Sequence, residues 1–279
     1  LTAAALAAAA STGHGSLPVY ARPTVAVVAT GAELVAPGQT PGPGQIPDSN
    51  AILITTLARD WGAEVTLVRA TGDTADGLAE ALSRAAEADV IITSGGISAG
   101  AFDPVKSLAA EGRADISFHK LRQQPGGPQA RGRVGDAVLL GLPGNPVSVF
   151  VSALLYVRPL LMKLGGRDVV THDHDDPRHP DATTVAGLET TTVTAETEFF
   201  PLPGRRRFVP AVITDGHARP VHEAGVGSHL IATLHRANAL VVLPEGTPDA
   251  PVPDAYAPGT PLTAIPLDPA LRRGKDRHS

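Results

Sequence analysis

The sequence predicts an α/β domain built on a parallel sheet, followed by a smaller, mostly β domain. Three observations carry that prediction. Short β-branched runs alternate with longer helical patterns up to about residue 164, polar glycine-bearing loops follow those runs, and the rhythm breaks at a His/Asp/Pro stretch before a set of short strands begins. At the usual size of a domain, 279 residues suggest two, and 43% hydrophobic with 18% charged residues gives both a core to bury. The expected division is 1–22 as a remnant of a preceding domain with its connector, 23–166 as the α/β domain, 167–186 as a linker, 187–267 as the β domain and 268–279 as a tail.

Leu1 to Ala10 reads as an amphipathic or buried helix. It lacks a basic leading region and is too short to cross a bilayer, so neither a targeting segment nor a membrane span is read there. The only methionine is Met162, and the chain opens inside a helical pattern, so a longer parent protein is expected.

Val25–Ala29, Val65–Val68, Val90–Thr93 and Val138–Leu140 read as strands buried on both faces. Start signals place helices between them: Asp48-Ser49 before Asn50–Asp60, Asp73-Thr74 before Ala75–Ala88, and Asp103 ahead of Pro104. A long apolar helix is expected from Pro146 to about Leu164, kinked at Pro159. After the linker, Thr190–Thr197, Phe208–Ile213, Leu240–Leu243 and Pro261–Ile265 read as strands, with a helical piece at Ser228–Arg236.

Lys plus Arg (23) against Asp plus Glu (28) gives a formal charge of -5 without a dense basic run, which argues against nucleic acid as a partner. The absence of cysteine excludes disulfides, thiolate metal sites and cysteine nucleophiles. A cytoplasmic enzyme is the default expectation.

In an open α/β sheet, ligands bind beyond the carboxyl ends of the strands. The loops there are Thr30-Gly31-Ala32-Glu33, Gly72-Asp73, and Ser94-Gly95-Gly96-Ile97-Ser98-Ala99-Gly100 leading to Asp103. A later connection carries Gln124-Pro125-Gly126-Gly127-Pro128, and the last run opens into Gly141-Leu142-Pro143-Gly144-Asn145-Pro146-Val147-Ser148. Glycines and hydroxyls ahead of a helix expose backbone N–H groups to one point, which suits a phosphate or another oxyanion. Glu33, Asp73 and Asp103 at the same rim would repel such a ligand unless a cation lay between them. Hard oxygen donors suit Mg²⁺, so a Mg²⁺-dependent phosphate-transfer or phosphate-cleavage site is expected. Structural alternatives stand beside this reading. Asp73, Asp103, Asp48, Asn50 and Asn145 can serve as helix starts, whereas Glu33 has no such role. His172, His174 and His179 among aspartates read as solvated linker rather than a metal site, and Arg205-Arg206-Arg207 reads as a protected strand edge ahead of an anion patch.

Taken in order, Thr30 to Leu34, Gly44-Gln45-Ile46-Pro47-Asp48-Ser49-Asn50, Ser94 to Gly100 with Asp103, Pro125 to Pro128, and Gly141 to Ser148 resemble the MoeA family, the molybdopterin molybdenumtransferases related to the E domain of gephyrin. Gly227-Ser228-His229 agrees with that family's C-terminal β domain. The resemblance implies a three-layer, MogA-like molybdopterin-binding domain, binding of adenylylated molybdopterin, Mg²⁺-dependent release of AMP and insertion of molybdate. It implies that Glu33, Asp73 and Asp103 coordinate the cation or support insertion. It further implies that Thr30, Gly31, Asp48, Asn50, Ser94, Gly95, Gly96, Ser98, Gly100, Pro125, Gly126, Pro143, Gly144, Asn145, Pro146, Ser148 and Ser228 contact the substrate. Two further N-terminal domains, a homodimer with its site at the interface, and the molybdopterin adenylyltransferase as a partner are implied as well. Two positions depart from the family pattern. Ala32 stands where Thr-Gly-Asp-Glu-Leu has its aspartate, and Gly127 where Pro-Gly-Lys-Pro has its lysine. A MogA-type adenylyltransferase and a pterin-binding relative with impaired catalysis are the alternatives.

Overall fold

The computed structural model describes residues 1–31, 33–70, 74–95, 104–112, 114–167, 188–222 and 231–267. The elements in chain order are α1 (Ala3–Ser11), β1 (Thr24–Ala29), β2 (Leu34–Val35), β3 (Ile46–Pro47), α2 (Ser49–Asp60), β4 (Glu64–Arg69), α3 (Ala75–Ala85), β5 (Val90–Ser94) and α4 (Pro104–Ala110). They continue with β6 (Asp115–Lys120), β7 (Gln123–Gln124), β8 (Pro128–Val134), β9 (Ala137–Leu142), α5 (Pro146–Ser152), a π-helical turn (Ala153–Val157) and α6 (Arg158–Leu164). The second half holds β10 (Thr191–Ala195), β11 (Arg206–Thr214), β12 (His217–Pro220), α7 (Ile231–Leu234), β13 (Ala239–Leu243) and β14 (Pro261–Pro266).

The first sheet runs β4-β1-β5-β9-β8-β6. β4, β1, β5 and β9 are parallel, as expected, and the sheet then continues through a strand the sequence reading did not mark: β8 is antiparallel to both β9 and β6. Alternation along β1 sends Ala26 and Val28 to one face, against Leu78 and Leu82 of α3 and Leu108 of α4. Val25 and Val27 point to the other face, against Ile54 and Ala58 of α2 and against Val149, Ala153, Val157 and Leu161. Val65–Val68 is not buried on both faces. Its strand β4 lies at the edge of the sheet with Leu67 44% exposed, because among the described residues no further strand continues the sheet on that side.

The helix after β9 spans Pro146–Leu164 and is long and apolar enough to cross a membrane by length alone, yet it packs between the two cores. Around Pro159 the helix is not continuously α-helical. The Arg158 N–H bonds back to Ala153 O, five residues away, so the helix widens for one turn and restarts with the proline in a first turn, where its missing N–H costs little. The amphipathic or buried reading of Leu1–Ala10 also fails. α1 has no buried residue and Leu6 is 51% exposed; alanine propensity and the Thr2 side chain, which accepts from Ala5 N at 3.1 Å, sustain it.

The second sheet runs β12-β10-β14-β13-β11-β7, and β12 also pairs with β11, closing β10 to β14 into a small barrel. Val193, Phe199, Val209, Val241 and Leu243 fill it. On the outside of the same strands, Phe208, Leu240, Val242 and Ile265 pack against Val151, Leu154 and Leu155 of the long helix, so one hydrophobic cluster joins the two halves. Of the helical piece expected at Ser228–Arg236, α7 covers Ile231–Leu234, and Ser228 lies outside the described residues together with the His/Asp linker.

Candidate active site

Three of the predicted loops and the start of α2 meet at the carboxyl edge of the first sheet. Gly95 N donates to Leu142 O at 3.0 Å, tying the end of β5 to the end of β9. A β-carbon on Gly144 would sit 3.5 Å from Gly95 Cα, and one on Gly95 would sit 4.0 Å from Thr30 O. These glycines therefore allow three strand ends to approach at backbone distance. Asn50, in the first turn of α2, donates its side-chain amide to Gly144 O at 2.7 Å, while its Oδ1 is buried with no hydrogen-bond partner. Thr30 Oγ1 is orphaned in the same way. Buried polar atoms are rarely left unpaired, so these two mark places where a bound group or solvent would be accommodated.

Asp48 has a different part. It is 1% exposed, its Oδ1 accepts from Ala51 N at 3.0 Å as the N-cap of α2, and its Oδ2 faces Arg69 Nη1 at 3.4 Å. Both of its oxygens serve the fold. Asn145 is the reverse case: it occupies the N-cap position of α5 without making a capping bond, and it lines the cavity described below. At α3, Thr74 is the N-cap, accepting from Gly77 N at 3.1 Å.

Glu33 is exposed. A β-carbon at Gly31, where φ is +139°, would stand 2.8 Å from both Glu33 carboxylate oxygens, so this carboxylate folds over the Gly31 backbone. Its own carbonyl accepts from Ile46 N at 2.8 Å, anchoring the loop on β3. Asp73, Asp103, Gly96, Ser98 and Gly100 lie outside the described residues. Among the described residues no three His, Asp or Glu side chains form a metal-binding group.

The connection from β6 to β8 builds one wall of a cavity of about 580 Å³, and Pro143, Gly144, Asn145 and Ser148 line it as a second wall. A buried polar network holds the first wall against the helix. Gln123 Nε2 donates to Pro125 O at 3.1 Å, Gln129 Nε2 donates to Gly126 O and to Ser152 Oγ, each at 2.7 Å, and Tyr156 Oη donates to Gln123 Oε1. Burial pushes the Tyr156 hydroxyl up to about 12, against a smaller opposing pull from Arg206. Gly126, at φ +86°, has no room for a side chain, since a β-carbon would come 2.7 Å from Ser152 Oγ. Gly127 is confined too, with Leu121 O 3.3 Å from where its β-carbon would be.

Lys120, Arg122 and Arg205 line this cavity, and among the described residues no carboxylate does. The sequence reading missed Lys120 and Arg122, although two cations in the six residues before Pro125 were a visible signal. It took Arg205-Arg206-Arg207 for a strand edge, but β11 is paired on both sides. The three arginines divide: Arg205 reaches the cavity, Arg206 acts on Tyr156, and Arg207 donates to Phe200 O.

Residues 26–163 match the probable molybdopterin binding domain, and residues 192–267 match the MoeA C-terminal region, domain IV. Molybdopterin molybdenumtransferase 2 of Mycobacterium tuberculosis is 37% identical over 253 residues, covering 88% of this chain and 58% of that protein. The Bacillus subtilis molybdopterin molybdenumtransferase is 30% identical over 246 residues, covering 85% of this chain and 52% of that protein. MoeA proteins of Pyrococcus horikoshii superpose with TM-scores of 0.73 and 0.70 at 24% and 21% identity, covering 96% and 95% of this chain and 60% and 59% of theirs. Fold and matches together define an α/β domain of the probable molybdopterin binding type with an appended β barrel of the MoeA C-terminal type. The chain belongs to the MoeA family, and it spans somewhat more than half the length of the relatives it matches.

Proposed function

We propose that this chain carries the substrate site of a molybdopterin molybdenumtransferase, which binds adenylylated molybdopterin, releases AMP and inserts molybdate. The observation that carries the reading is the shared cavity: the Gln124–Pro128 and Pro143–Ser148 loops line it together, and among the described residues its charged lining is all cationic. A ligand with phosphate and oxyanion groups is complementary to such a lining. Asn145, Ser148 and the confined Gly126 backbone would orient it, and the orphaned Thr30 Oγ1 and Asn50 Oδ1 leave hydrogen-bonding capacity at the neighbouring strand ends.

Glu33 is the described member of the acidic set that would hold Mg²⁺ with Asp73 and Asp103. Exposed and without an ion pair among the described residues, it is available as a hard oxygen donor. Bound there, Mg²⁺ would offset the charge developing on the phosphoanhydride as AMP leaves. A homodimer, a cytoplasmic location and substrate delivery by an adenylyltransferase belong to the same reading. The match of residues 192–267 to the MoeA C-terminal region supports this enzyme over a MogA-type adenylyltransferase.

The test is to incubate the complete parent protein with adenylylated molybdopterin, Mg²⁺ and molybdate. AMP release that needs both Mg²⁺ and Glu33 is expected, and absence of AMP release overturns the proposal.

A further inference from the structure

We propose that Gln123 and Gln129 are positioning residues, whose side-chain amides hold two peptide planes of the β6–β8 connection so that the Gly126 and Gly127 N–H groups face the cavity as donors to the substrate; this rests on the functional reading above. The carrying observation is an asymmetry in how the backbone of that loop is paired. Three successive carbonyls accept from within the protein: Pro125 O from Gln123 Nε2 at 3.1 Å, Gly126 O from Gln129 Nε2 at 2.7 Å, and Gly127 O from Leu121 N at 2.8 Å. The Gly126 and Gly127 N–H groups have no acceptor among the described residues, although Gly126 is buried. A buried N–H is rarely left unpaired, so a bound group or solvent is needed to complete this loop.

Peptide geometry gives the direction. The Pro125–Gly126 and Gly126–Gly127 peptides are trans, and a planar trans peptide points its C=O and its N–H opposite ways. Drawing the Pro125 and Gly126 carbonyls toward the glutamines therefore turns the two N–H groups away from them, on residues that line the cavity. The glutamines are themselves fixed. They are 6% and 8% exposed, so water does not compete for their amides. Gln123 Oε1 accepts from Tyr156 Oη, and Gln129 Nε2 also donates to Ser152 Oγ at 2.7 Å. Both of those partners stand on the long helix, Ser152 at the end of α5 and Tyr156 in the π-helical turn. The helix thus sets two side chains, the side chains set two carbonyls, and the carbonyls set the donors.

Two measurements on the complete parent protein test this. In the first, the wild type is labelled with ¹⁵N-glycine and titrated with adenylylated molybdopterin in the absence of Mg²⁺ and molybdate. Saturable downfield shifts of the Gly126 and Gly127 amide protons are expected, as new hydrogen bonds form. In the second, Gln123→Met and Gln129→Met keep the side-chain length and remove the donor. Each should raise KM for AMP release about tenfold with kcat little changed, the loss expected of neutral hydrogen bonds. Asn238→Leu is the control for stability alone. Asn238 clamps backbone in the barrel in the same manner, accepting from Ile213 N at 2.7 Å and donating to Ile213 O at 3.0 Å, and it does not line the cavity. It should lower the denaturation midpoint and leave KM alone. Glycine signals that do not respond to the ligand overturn the proposal, as does a KM that is unmoved by the two glutamine changes or moved equally by Asn238→Leu. Responding glycine signals without AMP release would defeat the functional reading and leave the positioning role standing.

Discussion

The side-chain amide of Asn50 donates to the carbonyl of Gly144 at 2.7 Å across 94 residues of sequence. This one bond fastens the start of α2 to the β9–α5 loop and so fixes the cavity's second wall to the sheet. Gly144 is exposed, so water can take over its carbonyl when the donor is removed. Asn50→Ala should therefore cost only about 0.5–1.5 kcal/mol in urea unfolding. Its larger effect should be on ligand affinity, because the loop loses its tether. An affinity equal to wild type would show that the loop is held by other means.

Gly126→Ala should be more damaging than its one added carbon suggests. At φ +86° an L-residue costs about 1–2 kcal/mol, and the new methyl group would press on Ser152 Oγ at 2.7 Å. The Gln129–Ser152 bond lies in the path of any relaxation. Chemical denaturation should show a loss above 1 kcal/mol by that same estimate of strain, together with loss of oxyanion binding. Gly204→Ala, also at positive φ but with open space around it, should show the backbone cost alone.

Alkaline pH should weaken the fold through Tyr156. Its hydroxyl titrates at about 12 in the folded protein against an ordinary value of about 10 in the unfolded chain, so between those values the folded state holds the proton and the unfolded state releases it. Stability is then fully present below the unfolded value and falls as pH rises toward 12. Tyr156→Phe should flatten that slope while lowering stability by about 1–3 kcal/mol at neutral pH, since the buried Gln123 Oε1 loses its donor. Denaturation midpoints measured from pH 8 to pH 12 test both effects; an unchanged alkaline slope would show that another group controls it.

The join between the two halves should be as sensitive as a domain core. Phe208 is 3% exposed among Leu154, Leu155, Leu240 and Ile265, so Phe208→Ala should cost about 3–5 kcal/mol. Trp61, the sole tryptophan, packs against both this cluster and the helical face of the first sheet. A red shift of its emission in the variant would report water entering the join, and an unchanged spectrum would confine the damage to the barrel.

The β-branched runs at Val25–Ala29 and Val90–Thr93 were legible because central parallel strands bury both faces and select apolar residues throughout. β8 escaped because three of its seven residues are exposed, with arginines at 131 and 133 that look like loop. The barrel closure through β12 escaped because His217–Pro220 is short and mostly polar or turn-like, and the pairing that closes the barrel is to β10 rather than to its hairpin partner β11.

For the site, local sequence determined the loops: glycine before helix, proline at a first turn, and acidic or amide side chains at strand ends are choices made by near neighbours. It also distinguished the family through the order of those loops. Tertiary structure alone decided which polar groups are spent on the fold and which remain for a ligand. Asp48 is consumed by a helix cap and Arg69, and Arg122 by Glu245, while Asn145, Lys120 and Arg205 are left facing the cavity. The physical reason is that a side chain's availability depends on partners brought to it by chain segments far away, and pairing across 123 residues, as between Arg122 and Glu245, leaves no trace in local pattern.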